Sequence, residues 1–230
     1  MIGSRIQVVV VLFDNVTQLD FTGPAQVFAR LPDTDLTYAA PTLDPVSTDS
    51  GFSVVPTATL AAAPQADVLF VPGGQGAMES MANPAILDFV RRQAQQATFV
   101  TSVCTGSFVL AAAGLLAGRR ATSHWASLDM LTEFGATPVS QRVVTDGNII
   151  TGAGVSSGID FALVLAERLR GREVAERIQL QIEYDPQPPF DAGSAMSAPR
   201  EWVDAGRATA RDARLPAVRE AVARLAASSR

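Results

Sequence analysis

Residues 8–13 are apolar without interruption, Val-Val-Val-Val-Leu-Phe. A strand with one face in water alternates apolar and polar residues. One that does not alternate is covered on both faces. Helices packed on either side of a mostly parallel sheet provide that cover. Val68–Val71 and Phe99–Val103 repeat the pattern, each followed by a glycine-bearing turn and then helical sequence. The fold class read from this is α/β, with an open, mostly parallel central sheet and helices on both faces.

The intervening elements follow from local signals. Thr22-Gly23-Pro24 is expected to open a helix reaching about Leu31, with Thr22 as cap and Pro24 in the first turn. Residues 36–40 read as a strand, and residues 47–55 as a hairpin around Asp49-Ser50-Gly51. Asn83-Pro84 starts a helix with Ile86, Phe89, Val90 and Ala94 on one face. The helix after Cys104 runs to Ala113, with Gly114 at its end. A further helix is expected over residues 125–134. Asp146-Gly147 marks the turn of a hairpin over residues 143–151. Residues 159–169 and 174–184 read as helical, residues 185–193 as a loop. A charged helix is expected from about Arg200 to Ala227, with a possible break near Pro216. No linker divides the chain, which reads as one domain over residues 1–230 with a C-terminal helical extension from about residue 199.

Composition removes several kinds of chemistry. The chain has one Cys and one His, so an intrachain disulfide, a multi-Cys zinc site and a multi-His metal centre are excluded. All 18 basic residues are Arg. Without Lys there is no Schiff base and no phosphate-loop lysine. The net charge of −5 argues against nucleic acid as a partner. Residues 6–13 are too short to span a membrane, which takes about 20 residues, and carry no cleavage signal. A lone thiol without an export signal points to the reducing cytoplasm.

In an open α/β sheet, ligands bind beyond the carboxyl ends of the strands. Three loops there carry candidates. Cys104 ends a buried strand and begins a helix, the arrangement of a nucleophile elbow. A helix N-terminus should lower the thiol pKa; the alternative is an inert buried cysteine. Asp20, between Leu19 and Phe21, is either a helix-start anion or a site carboxylate. If buried, it holds a proton near neutral pH and serves as acid and then base. Gly73 and Gly74 either aim N–H groups at developing negative charge or merely form a tight turn. Thr105 either donates a hydrogen bond into the site or satisfies the helix end. His124 either pairs with Cys104 or is a packed core histidine.

Leu19-Asp20-Phe21-Thr22-Gly23-Pro24, Val71-Pro72-Gly73-Gly74 and Ser102-Val103-Cys104-Thr105-Gly106-Ser107 resemble the ThiJ/PfpI family of the class I glutamine amidotransferase-like superfamily. Ala121-Thr122-Ser123-His124-Trp125, Gly158-Ile159-Asp160-Phe161-Ala162-Leu163, Glu183-Tyr184-Asp185-Pro186 and Pro188-Pro189-Phe190 extend the likeness, which runs from about residue 6 to 193. The pattern is most similar to the isocyanide hydratase branch; many other members carry glutamate near the Asp20 position. The glycine run of that branch is broken here by Ala153. The resemblance implies a flavodoxin-like sandwich, a homodimer and a cofactor-independent enzyme that hydrates a small-molecule isocyanide to an N-formamide. It implies Cys104 as nucleophile, Asp20 as acid/base, Thr105 as a site hydroxyl and His124 as a site neighbour. The other readings are a glyoxalase or deglycase acting on aldehydes, the ligand-sensing domain of an AraC-type regulator, and a thiol-based stress sensor.

Overall fold

The computed structural model describes residues 5–228. Eleven strands occur among them: β1 (Ile6–Val11), β2 (Thr34–Ala40), β3 (Val46–Ser47), β4 (Ser53–Val54), β5 (Ala58–Thr59), β6 (Val68–Val71), β7 (Phe99–Val103), β8 (Arg120–Ala121), β9 (Thr137–Pro138), β10 (Val143–Asp146) and β11 (Ile149–Gly152). The helices are α1 (Gln18–Phe28), α2 (Gly76–Ser80), α3 (Pro84–Ala94), α4 (Gly106–Ala112), α5 (Ser157–Arg170), α6 (Arg172–Gln181) and α7 (Arg200–Ser228). None of them is long and apolar enough to cross a membrane.

Seven strands form one sheet in the order β10-β11-β7-β6-β1-β2-β5. All neighbours are parallel except β10, which returns antiparallel along β11. The apolar runs occupy its centre: β1, β6 and β7 are adjacent, and Val8 to Val11 are fully buried. Helices α1 and α5 pack together on one face, with α6 against α5; α2, α3, α4 and α7 lie on the other. Phe28, Phe70 and Phe161 interlock between sheet and helices, with ring centroids 5.4–6.2 Å apart. This is the α/β sandwich expected.

Four local expectations are corrected. Helix α1 begins at Gln18, with Thr17 and not Thr22 at its N-cap, and Pro24 lies inside it. Thr22 instead turns its hydroxyl back onto the Gln18 carbonyl, 3.1 Å away. Asp20 therefore stands in the first helical turn, where a negative charge is favoured by the helix dipole. The helix over residues 125–134 shrinks to a 3-10 helix, Leu128–Phe134, closed by Gly135 at φ 73°. Helix α6 stops at Gln181, and Glu183 takes a left-handed conformation (φ 52°). Helix α7 is continuous through Pro216 and packs on its own chain. Val203, Ala210, Val218 and Ala221 are buried, and Arg214 donates to Ser127 Oγ at 2.6 Å. Burial of that face offsets the hydrogen bond that a mid-helix proline removes.

Candidate active site

The site lies where β1, β6, β7 and β11 end. Cys104 follows β7 directly and precedes α4, as the elbow requires. Its backbone is left-handed, with φ 56°. A non-glycine residue held there costs on the order of 1–3 kcal/mol and persists only where its surroundings fix it. They do so here. The Cys104 N–H donates to the Gly152 and Ala153 carbonyls at 3.0 and 2.8 Å. The Cys104 carbonyl accepts from the hydroxyls of Ser107 (3.1 Å) and Ser123 (3.0 Å). Gly106 permits the tight packing that follows, since a Cβ there would lie 2.2 Å from the Val71 carbonyl oxygen.

Asp20 reaches this elbow from α1. It is 0% exposed and Cys104 is 5% exposed. Asp20 Oδ2 accepts the Gly73 N–H at 2.8 Å, and the carboxylate also interacts with the Cys104 thiol. Asp20 Oδ1 is buried and has no hydrogen-bond partner. Burial pushes the Asp20 carboxyl up to about 7; the Gly73 N–H and the Cys104 thiol favour its charged form, while the charge of Asp49 opposes it.

The thiol departs from expectation. Burial first, and the Asp20 charge second, push the Cys104 pKa well above its ordinary value. The Thr105 and Val155 N–H groups and the Thr105 hydroxyl pull the other way without prevailing. Helix α4 has only seven residues, and its N-terminus does not outweigh desolvation plus a neighbouring carboxylate. Burial thus penalises the charged form of both groups.

The N–H groups of Gly73 and Gly74 both have partners within the protein. The Gly73 N–H holds Asp20, and the Gly74 N–H donates to Thr105 Oγ1 at 2.9 Å. Both N–H groups thus lie within hydrogen bonds that fix Asp20 and Thr105. The Gly73 backbone also runs too close for any side chain: a Cβ there would lie 2.7 Å from Asp20 Oδ2 and 2.8 Å from Cys104 Cβ. Thr105 makes no capping bond to α4. Its hydroxyl takes the Gly74 N–H and donates to the Gly74 carbonyl at 3.0 Å. His124 is not hydrogen-bonded to Cys104. Its Nδ1 accepts the Ala126 N–H at 3.3 Å, and its ring lies against Trp125 with centroids 5.5 Å apart. Burial, then the Arg214 charge, lower its pKa and so favour the neutral ring.

Several contributors escaped the sequence reading. The Val155 N–H that meets the thiol has no side-chain signature; only the broken glycine run beside it marks the loop. Ser107 and Ser123 are ordinary serines until the fold places both on one carbonyl. Asp49 lies in a hairpin turn, yet its Oδ1 accepts the Gln18 N–H at the start of α1.

Comparison with known proteins identifies relatives of the chain and a solved structure of the same fold. The model of the DJ-1/PfpI family matches residues 6–168. An isonitrile hydratase of Pseudomonas putida is 52% identical over 202 residues, covering 88% of this chain and 89% of that protein. A glutathione-independent glyoxalase of Caenorhabditis elegans, DJR-1.2, is 30% identical over 59% of this chain and 74% of its own length. The crystal structure of a ThiJ/PfpI family protein from Pseudomonas syringae superposes with a TM-score of 0.90 at 40% identity, covering 95% of this chain and 91% of that one.

Proposed function

Because the chain belongs to the DJ-1/PfpI family, we propose that it is a cysteine-dependent isonitrile (isocyanide) hydratase that uses Cys104 as nucleophile and Asp20 as acid and base. The observation that carries this reading is the buried Asp20–Cys104 pair, with one carboxylate oxygen unpartnered and a carboxyl pKa of about 7. Extensive identity to a hydratase supports it.

The terminal carbon of R–N≡C is electrophilic. Asp20 takes the Cys104 proton as the sulfur attacks that carbon. It returns the proton to the same carbon, giving the thioimidate R–N=CH–S–Cys104. Asp20, again ionised, removes a proton from water as the oxygen adds to the carbon and delivers that proton to the nitrogen, which leaves Asp20 ionised once more. The tetrahedral adduct R–NH–CH(OH)–S–Cys104 collapses; the C–S bond breaks, the hydroxyl proton passes through Asp20 to sulfur, and R–NH–CHO leaves. One water is consumed and the thiol is regenerated. Splitting one difficult addition into two steps is what covalent catalysis contributes, and a base whose pKa sits near the working pH is suited to both. Thr105 and Gly73 act by holding Cys104 and Asp20 in register. His124 stands beside the site without a step in the scheme.

The reading extends to a single domain that includes α7, acting as a homodimer in the cytoplasm; sedimentation of the purified protein measures the dimer. Formamide production from cyclohexyl or aryl isocyanide, run beside Cys104→Ala, tests the activity. Turnover in the parent and none in the variant is expected. Turnover in both would remove the thiol from the mechanism.

A further inference from the structure

A cavity of about 370 Å³ adjoins the site, bounded by Trp125, Leu128, Arg142, Val155 and Met196. That volume falls in the range of about 300–1,000 Å³ typical of small-molecule pockets. Three of its residues also touch the nucleophile: Val155, whose N–H meets the Cys104 thiol, Ser123, whose hydroxyl holds the Cys104 carbonyl, and Ala153, whose carbonyl accepts the Cys104 N–H. Two other cavities among the described residues lack this link. The groove of about 610 Å³ beside Leu19, Ile159 and Tyr184 is lined by none of the groups that act on the thiol. The cavity of about 380 Å³ near Asp14, Asp44 and Glu79 has acidic walls and does not suit an uncharged apolar group.

An isocyanide is a linear rod. When sulfur adds to its terminal carbon from the side, the C–N unit still carries the organic group away from the thiol, past the residues that touch it. We propose that the cavity behind Val155 receives this group and sets the enzyme's preference for aryl and alicyclic isocyanides over small alkyl ones. The inference rests on the hydratase reading. Trp125 supplies a flat apolar wall. Its indole is seated against α7 where Gly206 leaves room, since a Cβ there would lie 2.6 Å from Trp125 Cη2. Leu128 closes the buried side. Met196, 90% exposed, forms an adaptable lip. Arg142 stays at the rim, tied to Asp160.

The test is a substrate series (methyl, cyclohexyl and 4-substituted phenyl isocyanide) measured on the parent, on Ala195→Trp and Met196→Ala at the cavity mouth, and on Gln26→Trp in the larger groove. Gln26→Trp should match the parent throughout. Ala195→Trp should lower kcat/KM for the cyclohexyl and aryl substrates by about 10-fold or more, the effect of crowding a hydrophobic pocket, and leave methyl isocyanide within about two-fold. Met196→Ala should lower the aryl value in the same sense. A loss independent of substrate size, or a size-dependent loss in Gln26→Trp alone, overturns the assignment while leaving the hydratase reading intact. A parent that hydrates none of the three overturns both.

Discussion

Asp20 and Cys104 meet in the interior from opposite sides of the elbow, 84 positions apart in the chain, with Gly73 wedged between them. The Gly73 N–H orients one oxygen of the carboxylate and leaves the other without a partner. The thiol gains no negative-charge stabilisation from this neighbour; the Asp20 charge raises its pKa. In the proposed mechanism, a base that makes a free thiolate costly moves the proton only as the sulfur finds an electrophile.

Asp20→Asn removes that base and keeps the shape. Its kcat should fall by about 100- to 10,000-fold, the span of general acid–base contributions, with the circular dichroism spectrum unchanged. Steady-state formamide production measures it, and a rate near the parent's would exclude Asp20 from proton transfer.

The same residue makes stability depend on pH. Its folded pKa of about 7 lies above the ordinary 3.8, so the folded chain binds the extra proton between these values. The stabilisation is complete below the lower value and is lost as pH rises through 7. At 1.36 kcal/mol per pKa unit, the loss between pH 5 and pH 8 is roughly 3 kcal/mol. Urea unfolding at the two pH values should show it in the parent, and the difference should vanish in Asp20→Asn.

Gly73→Ala places a methyl group 2.6–2.8 Å from Thr105 N, Asp20 Oδ2 and Cys104 Cβ. The backbone has to move, and the acid/base separates from the thiol. A displacement of this kind costs about 100-fold or more in rate. The expected pattern is a collapse of kcat with a Tm shift too small to explain it. Unchanged kinetics would mean that the three segments are not in register during turnover.

Thr105→Val strips the hydroxyl that answers both polar groups of Gly74. A buried N–H left unpaired costs about 1–3 kcal/mol. Chemical denaturation should show that loss, and Thr105→Ser, which keeps the oxygen, should recover most of it. Equal loss in both variants would put the effect in the methyl group and not in the hydrogen bond.

The elements that position the site were readable where one local force dominates. The unbroken apolar runs of β1, β6 and β7 admit no exposed face. Cys104-Thr105-Gly106 marked the elbow because the close approach to Val71 leaves room only for glycine. Asn83 capped α3 as its side chain predicts, accepting the Ala85 N–H at 3.0 Å. Where two signals competed, the reading went astray. Thr22-Gly23-Pro24 looks like a helix start, but Thr17 begins the helix and Pro24 is carried within its interior, packed against Gly158, where a Cβ would lie 3.1 Å from Pro24 Cγ. Pro216 likewise failed to break α7, because one apolar face of that helix is buried against the domain.

The covered sheet, the elbow and the candidate pair Cys104 and Asp20 were legible in the chain, since these depend on residue type and on neighbours along it. The state of those side chains was set by folding. Burial reversed the expected acidity of Cys104 and raised Asp20 to about 7. The backbone N–H groups of Gly73 and Gly74 turned inward to hold Asp20 and Thr105, while His124 was drawn off to Trp125. Desolvation, and which donor meets which acceptor, are set by groups distant in the chain, and folding brings those groups together.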